Sequence, residues 1–153
     1  MERGYVRTTW GQIHYRSCGN DGPSLVLLHQ CGNSSRMWTA IMEGLGQHHR
    51  VVAFDLPGFG MSDPPPAQQP FAGYAQVVVE AMELLGLGQV TLVGFHTGAA
   101  LILALFQQRP ELITGMVLIG VPFFDPTETM PAAERWKAQM AEPTGSYLQH
   151  VWD

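Results

Sequence analysis

Charged side chains are scarce in this chain. They make up 14% of its residues, against about 25% in an ordinary soluble domain. Hydrophobic residues reach 46%, so part of the surface must itself be apolar, and a partner can cover such a surface. Basic residues are the scarcer sign, 8 against 13 acids for a net charge of −5. No basic run and no basic–aromatic stripe occurs, which argues against a nucleic-acid partner. Only two cysteines are present, Cys18 and Cys31. They are too few for a disulfide framework and point to a reducing, cytoplasmic setting. The longest apolar helical run, residues 99–106, falls far short of the about 20 residues that span a bilayer, so no membrane partner is expected. The first five residues lack the apolar run of a signal peptide. No CxxC or HxxxH spacing suggests a metal. Gly58-Phe59-Gly60 lacks the third glycine and following helix of a dinucleotide loop. No cofactor is therefore expected.

The 153 residues suit one domain, and their hydrophobic pattern alternates between two kinds of element. Residues 5–8 and 12–16 lean toward strands, joined at Trp10-Gly11 as a hairpin. Four continuous apolar runs follow, at 24–29, 50–56, 89–94 and 116–121. Such runs fit strands buried on both faces, as in a parallel sheet. Helical periodicity separates them. Met37, Trp38, Ile41, Met42 and Leu45 share one face, with Ser34 or Ser35 as cap. Residues 74–85 form a second helix closed by Gly86 and Gly88, and residues 97–108 a third stopped by Pro110. Strands alternating with helices predict an α/β fold in three layers: a mostly parallel sheet of about six strands with helices on both faces. Residues 1–121 make this core. Residues 122–153 read as a loop followed by a helical tail.

The chemistry concentrates at residues 90–100, V-T-L-V-G-F-H-T-G-A-A. An apolar strand meets Gly94, and His96 lies between it and Gly98, where a helix of small residues begins. This is the outline of a nucleophile elbow, G-x-nucleophile-x-G, with histidine at the central position.

Three stretches together resemble the α/β-hydrolase fold, the superfamily of esterases, lipases, epoxide hydrolases and dehalogenases. Leu27-Leu28-His29-Gln30-Cys31-Gly32 is similar to its strand and H-G-x oxyanion loop. Asp55-Leu56-Pro57-Gly58-Phe59-Gly60-Met61-Ser62-Asp63 is similar to its D-x-P-G-x-G-x-S-D segment. Val93-Gly94-Phe95-His96-Thr97-Gly98 is similar to its elbow. The resemblance covers residues 5–121, and the tail resembles the start of a cap domain. It implies a fold truncated after its sixth strand, oxyanion donors at the N–H groups of Cys31 and Thr97, and hydrolysis of small esters or related carbonyl substrates. The chain departs from the pattern at His96, where the family carries its nucleophile, and at Gln30, where it carries glycine. The segments that would bear the family's acid and catalytic histidine are expected to be missing.

The residues leave several roles open. His96 can be a covalent nucleophile, a general base toward water, a ligand-binding group in an inactive site, or a space-filling residue bonded to a neighbour such as His29. Asp125 can complete a His–Asp dyad, or simply open the turn at Asp125-Pro126. Asp55, Ser62 and Asp63 read as loop braces, and His29 as a residue that orders the oxyanion loop. The Thr97 side chain is expected to point away from the cleft. His29, Cys31, His96 and Asp125 have zinc-compatible types without zinc spacing.

With no strand after Val121, residues 116–121 become an edge with no charge or proline to block pairing. A homodimer through this edge or through the tail is expected, unless the tail folds over it or the chain is a fragment of a longer hydrolase in which residues 122–153 begin a cap. The functional alternatives are a hydrolase with an incomplete triad acting on a small molecule, and a non-catalytic ligand-binding or homo-oligomeric scaffold.

Overall fold

A computed structural model describes residues 1–122. Strands β1 (Glu2–Thr8) and β2 (Gly11–Cys18) form an antiparallel hairpin. Strand β3 (Ser24–Leu28) leads through a loop and a 3-10 turn (Ser35–Trp38) into helix α1 (Thr39–Leu45). Then come β4 (Arg50–Phe54), α2 (Phe71–Leu84), β5 (Val90–Phe95), α3 (Thr97–Gln108) and β6 (Ile113–Ile119). The six strands form one sheet in the order β1-β2-β4-β3-β5-β6. Strands β4, β3, β5 and β6 run parallel, and β2 joins β4 antiparallel.

The apolar runs of β3, β4 and β5 are explained by burial, whereas the run at 116–121 is not a buried strand: the strand there is Ile113–Ile119, and at the end of the described sheet it leaves Met116, Val117 and Ile119 exposed. Side chains alternate across a strand. Val26, Leu28, Val52 and Phe54 face one way, onto Val78 and Met82 of α2 and Leu101, Ile102 and Leu105 of α3. Leu25, Leu27, Val51 and Ala53 face the other way, onto Trp38 and Met42. Helices therefore cover both faces, as the alternating pattern predicts. The first predicted helix is the one element that divides. Ser34 caps it, its hydroxyl accepting from the Arg36 N–H, but the chain runs as a 3-10 turn to Trp38 before α1 begins. There the Thr39 hydroxyl donates to the Arg36 carbonyl, a side-chain bond that competes with the regular helical ladder.

The strand order places the site. Chain connection runs from β3 to β4 on one side, and returns across to β5 on the other. The carboxyl ends of β3 and β5 thus flank the point where the order reverses, which is where open α/β sheets form their clefts. The loop after β3 holds His29 to Ser34, and the turn after β5 holds His96. Among the described residues, strand β6 ends the sheet, with Met116, Val117 and Ile119 exposed. Among the described residues, no helix is long and apolar enough to cross a membrane.

Candidate active site

His96 has φ 51° and ψ −109°, and among the described residues it alone carries positive φ without being glycine. Such a backbone costs about 1–3 kcal/mol and persists only where its surroundings enforce it. The surroundings here are identifiable. The His96 N–H donates to the Ile119 carbonyl at 2.8 Å, and its carbonyl accepts the first bond of α3 from Ala100 at 3.1 Å. The glycines on either side allow the turn to close. A Cβ on Gly94 would lie 2.6 Å from the Ala99 nitrogen, and one on Gly98 would overlap the carbonyls of Leu28 and His29. The imidazole that results is exposed at the N-terminus of α3.

The facing loop is ordered by His29, which is fully buried. Its Nε2 lies 2.9 Å from the Leu56 N–H, which can only donate, so Nε2 is the acceptor. Nδ1 then carries the proton and donates to the Gln30 carbonyl at 2.6 Å. Burial pushes the His29 pKa below its ordinary value, against the Gln30 carbonyl and the Asp55 charge, which raise it. With both nitrogens engaged, His29 has none free for a metal. Gln30 does not take a positive φ, and the left-handed position in this loop falls at Gly32, φ 73°. A turn forms there, the Asn33 N–H donating to the Gln30 carbonyl at 3.2 Å.

Two placements differ from expectation. The Thr97 side chain does not point away from the cleft: its Oγ1 accepts from the Cys31 N–H at 3.1 Å and lies 3.3 Å from His96 Nδ1. The cause is positional, because side chains in the first turn of a helix tilt toward its N-terminus, here toward the β3 loop. For the same reason the Cys31 N–H, expected as an open oxyanion donor, is occupied by Thr97. The Thr97 N–H precedes the first helical bond of α3 and carries no such side-chain partner. The Cys31 thiol is half-buried; burial pushes its pKa up, partly offset by the Gly32 amide. Tyr74 lies close enough that the Cys31 charge, after burial, adds to an upward shift of its phenol. Asp125 lies outside the described residues, as do residues 123–153 of the predicted tail. Among the described residues, no three potential metal ligands cluster.

The acidic segment braces the floor of the site. Buried Asp55 accepts from the Ser35 N–H at 2.6 Å, the Met61 N–H at 2.8 Å and His14 Nδ1 at 2.9 Å. Burial would raise its pKa. The Ser35 hydroxyl beside it, the Met61 and Ser35 amides and the nearby His14 outweigh that and hold it low. The Ser35 hydroxyl itself falls short of hydrogen-bond geometry. The Ser62 hydroxyl donates to the Asp55 carbonyl at 2.6 Å and accepts from the His14 N–H at 2.9 Å. Asp63 accepts from the Gln12 N–H at 2.8 Å. His14, buried in β2, is the partner that sequence reading missed. The available signal was the need of a buried carboxylate for donors on neighbouring strands.

A strained residue between two glycines, at a strand-to-helix turn facing an ordered loop at the sheet's switch point, defines a hydrolase-type elbow. The sequence profile of the alpha/beta hydrolase fold matches residues 23–144, and the chain belongs to that family. An uncharacterized protein of Mycobacterium tuberculosis is 31% identical over 114 residues, 74% of this chain and 33% of its own length. The (E)-2-((N-methylformamido)methylene)succinate hydrolase of Acinetobacter baylyi is 29% identical over 107 residues, covering 70% of this chain and 40% of the relative. Among solved structures, an N-acyl homoserine lactonase complexed with N-butanoyl homoserine superposes with a TM-score of 0.75 at 27% identity. That match covers 80% of this chain and 46% of the lactonase. The chain thus spans a third to two fifths of the length of these curated relatives.

Proposed function

We propose that the site binds the carbonyl oxygen of a small ester or related compound and promotes its hydrolysis. The observation that carries this reading is His96 itself. The fold maintains a strained backbone at a glycine-flanked elbow, and what it displays there is an imidazole beside a helix N-terminus. Free N–H groups at such a terminus favour a developing negative oxygen. Two relatives, a lactonase and a hydrolase of a formamido-succinate, act on substrates of this carbonyl type, which supports the substrate class. Initial rates with p-nitrophenyl acetate, butyrate and octanoate test it. Turnover above that of heat-denatured protein, best on the short chains, is the expected result; rates equal to the denatured control on all three contradict it.

A second reading is favoured by one contact. The Cys31 N–H is already taken by Thr97 Oγ1, so only part of an oxyanion site is open. A protein that binds a carbonyl compound without converting it fits this geometry. Saturable binding of butyrate with no ester turnover would select it.

The proposed assembly is a homodimer through β6. Its support is the position of β6 at the end of the sheet among the described residues, with Met116, Val117 and Ile119 exposed and no charge along the strand. Light scattering should give twice the chain mass, falling to one in Val117→Lys; a constant single mass across concentrations contradicts it.

A further inference from the structure

A hydroxyl has one proton and two lone pairs, and the surroundings of Thr97 Oγ1 determine how they are used. The Cys31 N–H can only donate, so it occupies one lone pair, at 3.1 Å. Among the described residues, its other hydrogen-bond contact is His96 Nδ1, at 3.3 Å. That nitrogen is within reach of the hydroxyl proton, and a neutral imidazole that accepts it at Nδ1 carries its own proton at Nε2. We propose that Thr97 is a positioning residue that bridges the β3 loop and the elbow, holds His96 as its Nε2–H form, and so makes His96 a hydrogen-bond donor to an oxygen ligand. This rests on the carbonyl-binding reading of the site and selects one of the roles open to His96.

The chemistry of the ring follows from the tautomer. Covalent attack by His96 needs a free nitrogen lone pair, and the only one in this form, at Nδ1, is directed at the Thr97 hydroxyl. The exposed nitrogen carries a proton instead. A neutral N–H donor at that position polarises a carbonyl oxygen without forming a bond to its carbon, so no acyl-imidazole arises. The ligand is then an oxygen acceptor, an ester or lactone carbonyl or a carboxylate. His29 provides an internal contrast. Its Nε2 accepts from the Leu56 N–H and its Nδ1–H donates to the Gln30 carbonyl, so the two histidines on either side of the cleft carry their protons on opposite nitrogens. Thr97 serves both sides at once, because the same oxygen that directs His96 also satisfies the Cys31 N–H of the facing loop.

The test is nitrogen NMR of the full chain labelled with 15N-histidine, at about pH 8, where an ordinary histidine is neutral. The His96 signals are assigned by their loss in His96→Ala. Expected are a protonated Nε2 and an unprotonated Nδ1 for His96 in the wild type, the same pattern in Thr97→Ser, and a tautomer-averaged pattern in Thr97→Val. A protonated Nδ1 in the wild type, or an identical fixed pattern in Thr97→Val, overturns the proposal. Sodium butyrate and n-butylammonium chloride then serve as probes of the ring. Butyrate is expected to shift His96 Nε2 and butylammonium to leave it unchanged; equal or reversed responses overturn the donor role. The tautomer is read without substrate, so absent ester turnover counts against hydrolysis alone and does not affect this result.

Discussion

At the scale of single residues, two histidines show how environment assigns different work to the same side chain. His96 is exposed on a backbone that glycine would adopt without strain. Replacing it should therefore stabilise the fold while removing the proposed donor. His96→Gly is expected to gain about 1 kcal/mol, the relief of a strained position less the added flexibility of glycine in the unfolded chain. A higher urea midpoint with no ester turnover is the result to look for. His29 is buried and neutral, and burial holds its pKa below the ordinary 6.5. As pH falls below that value, the unfolded chain takes up the proton before the folded one does. Stability is therefore full above 6.5 and is lost progressively as pH drops toward the lower folded value. Protonation would also set an Nε2–H against the Leu56 N–H, donor against donor. Urea midpoints measured from pH 8 to pH 5 should fall more steeply in the wild type than in His29→Gln, whose amide offers an acceptor and a donor but does not titrate.

At the scale of elements, the central unit is strand, elbow and helix: β5, His96 and α3. It could be read from the sequence because its requirements are local. Gly94 and Gly98 bracket His96 at a spacing that only a tight strand-to-helix turn needs, and the flanking runs have the composition of a buried strand and helix. What could not be read were the contacts between elements far apart in sequence. The bond from Cys31 to Thr97 spans 66 positions and that from His14 to Asp55 spans 41. No periodicity encodes either of them. The division of the first helix escaped for a related reason: its apolar spacing fits a helix throughout and does not register the Thr39 hydroxyl's bond to the Arg36 carbonyl or the Ser35 N–H held by Asp55. Close packing at the elbow gives a test by paired glycines. A Cβ on Gly98 would meet backbone carbonyls of β3 and its loop, whereas one on Gly44 in α1 meets nothing within 4 Å. Gly98→Ala should cost about 2–3 kcal/mol by overpacking, and Gly44→Ala should gain about 0.5–1 kcal/mol from helix propensity. Thermal or urea unfolding of the two variants checks both signs.

At the scale of the molecule, sheet order explains why the site lies where it does. The reversal at β3 brings the His29 loop and the His96 elbow to the same end of adjacent strands, and the Asp55 network ties β2, β4 and the 3-10 turn beneath them. The three-layer architecture was legible because each buried strand announces itself as an apolar run; the pairing order was not, since β3 and β5 are neighbours with β4 between them in sequence. The family's scaffold is thus retained around a residue of different chemistry. If that residue does the work, its removal must abolish activity without unfolding the chain. The direct measurement is kcat/KM for p-nitrophenyl butyrate in the wild type and in His96→Ala, with the urea midpoints of both recorded alongside. Loss of a single preorganised donor at a developing oxyanion predicts a fall of about 100-fold or more with stability retained. Equal kcat/KM in the two proteins would contradict an account in which the elbow histidine is the functional centre.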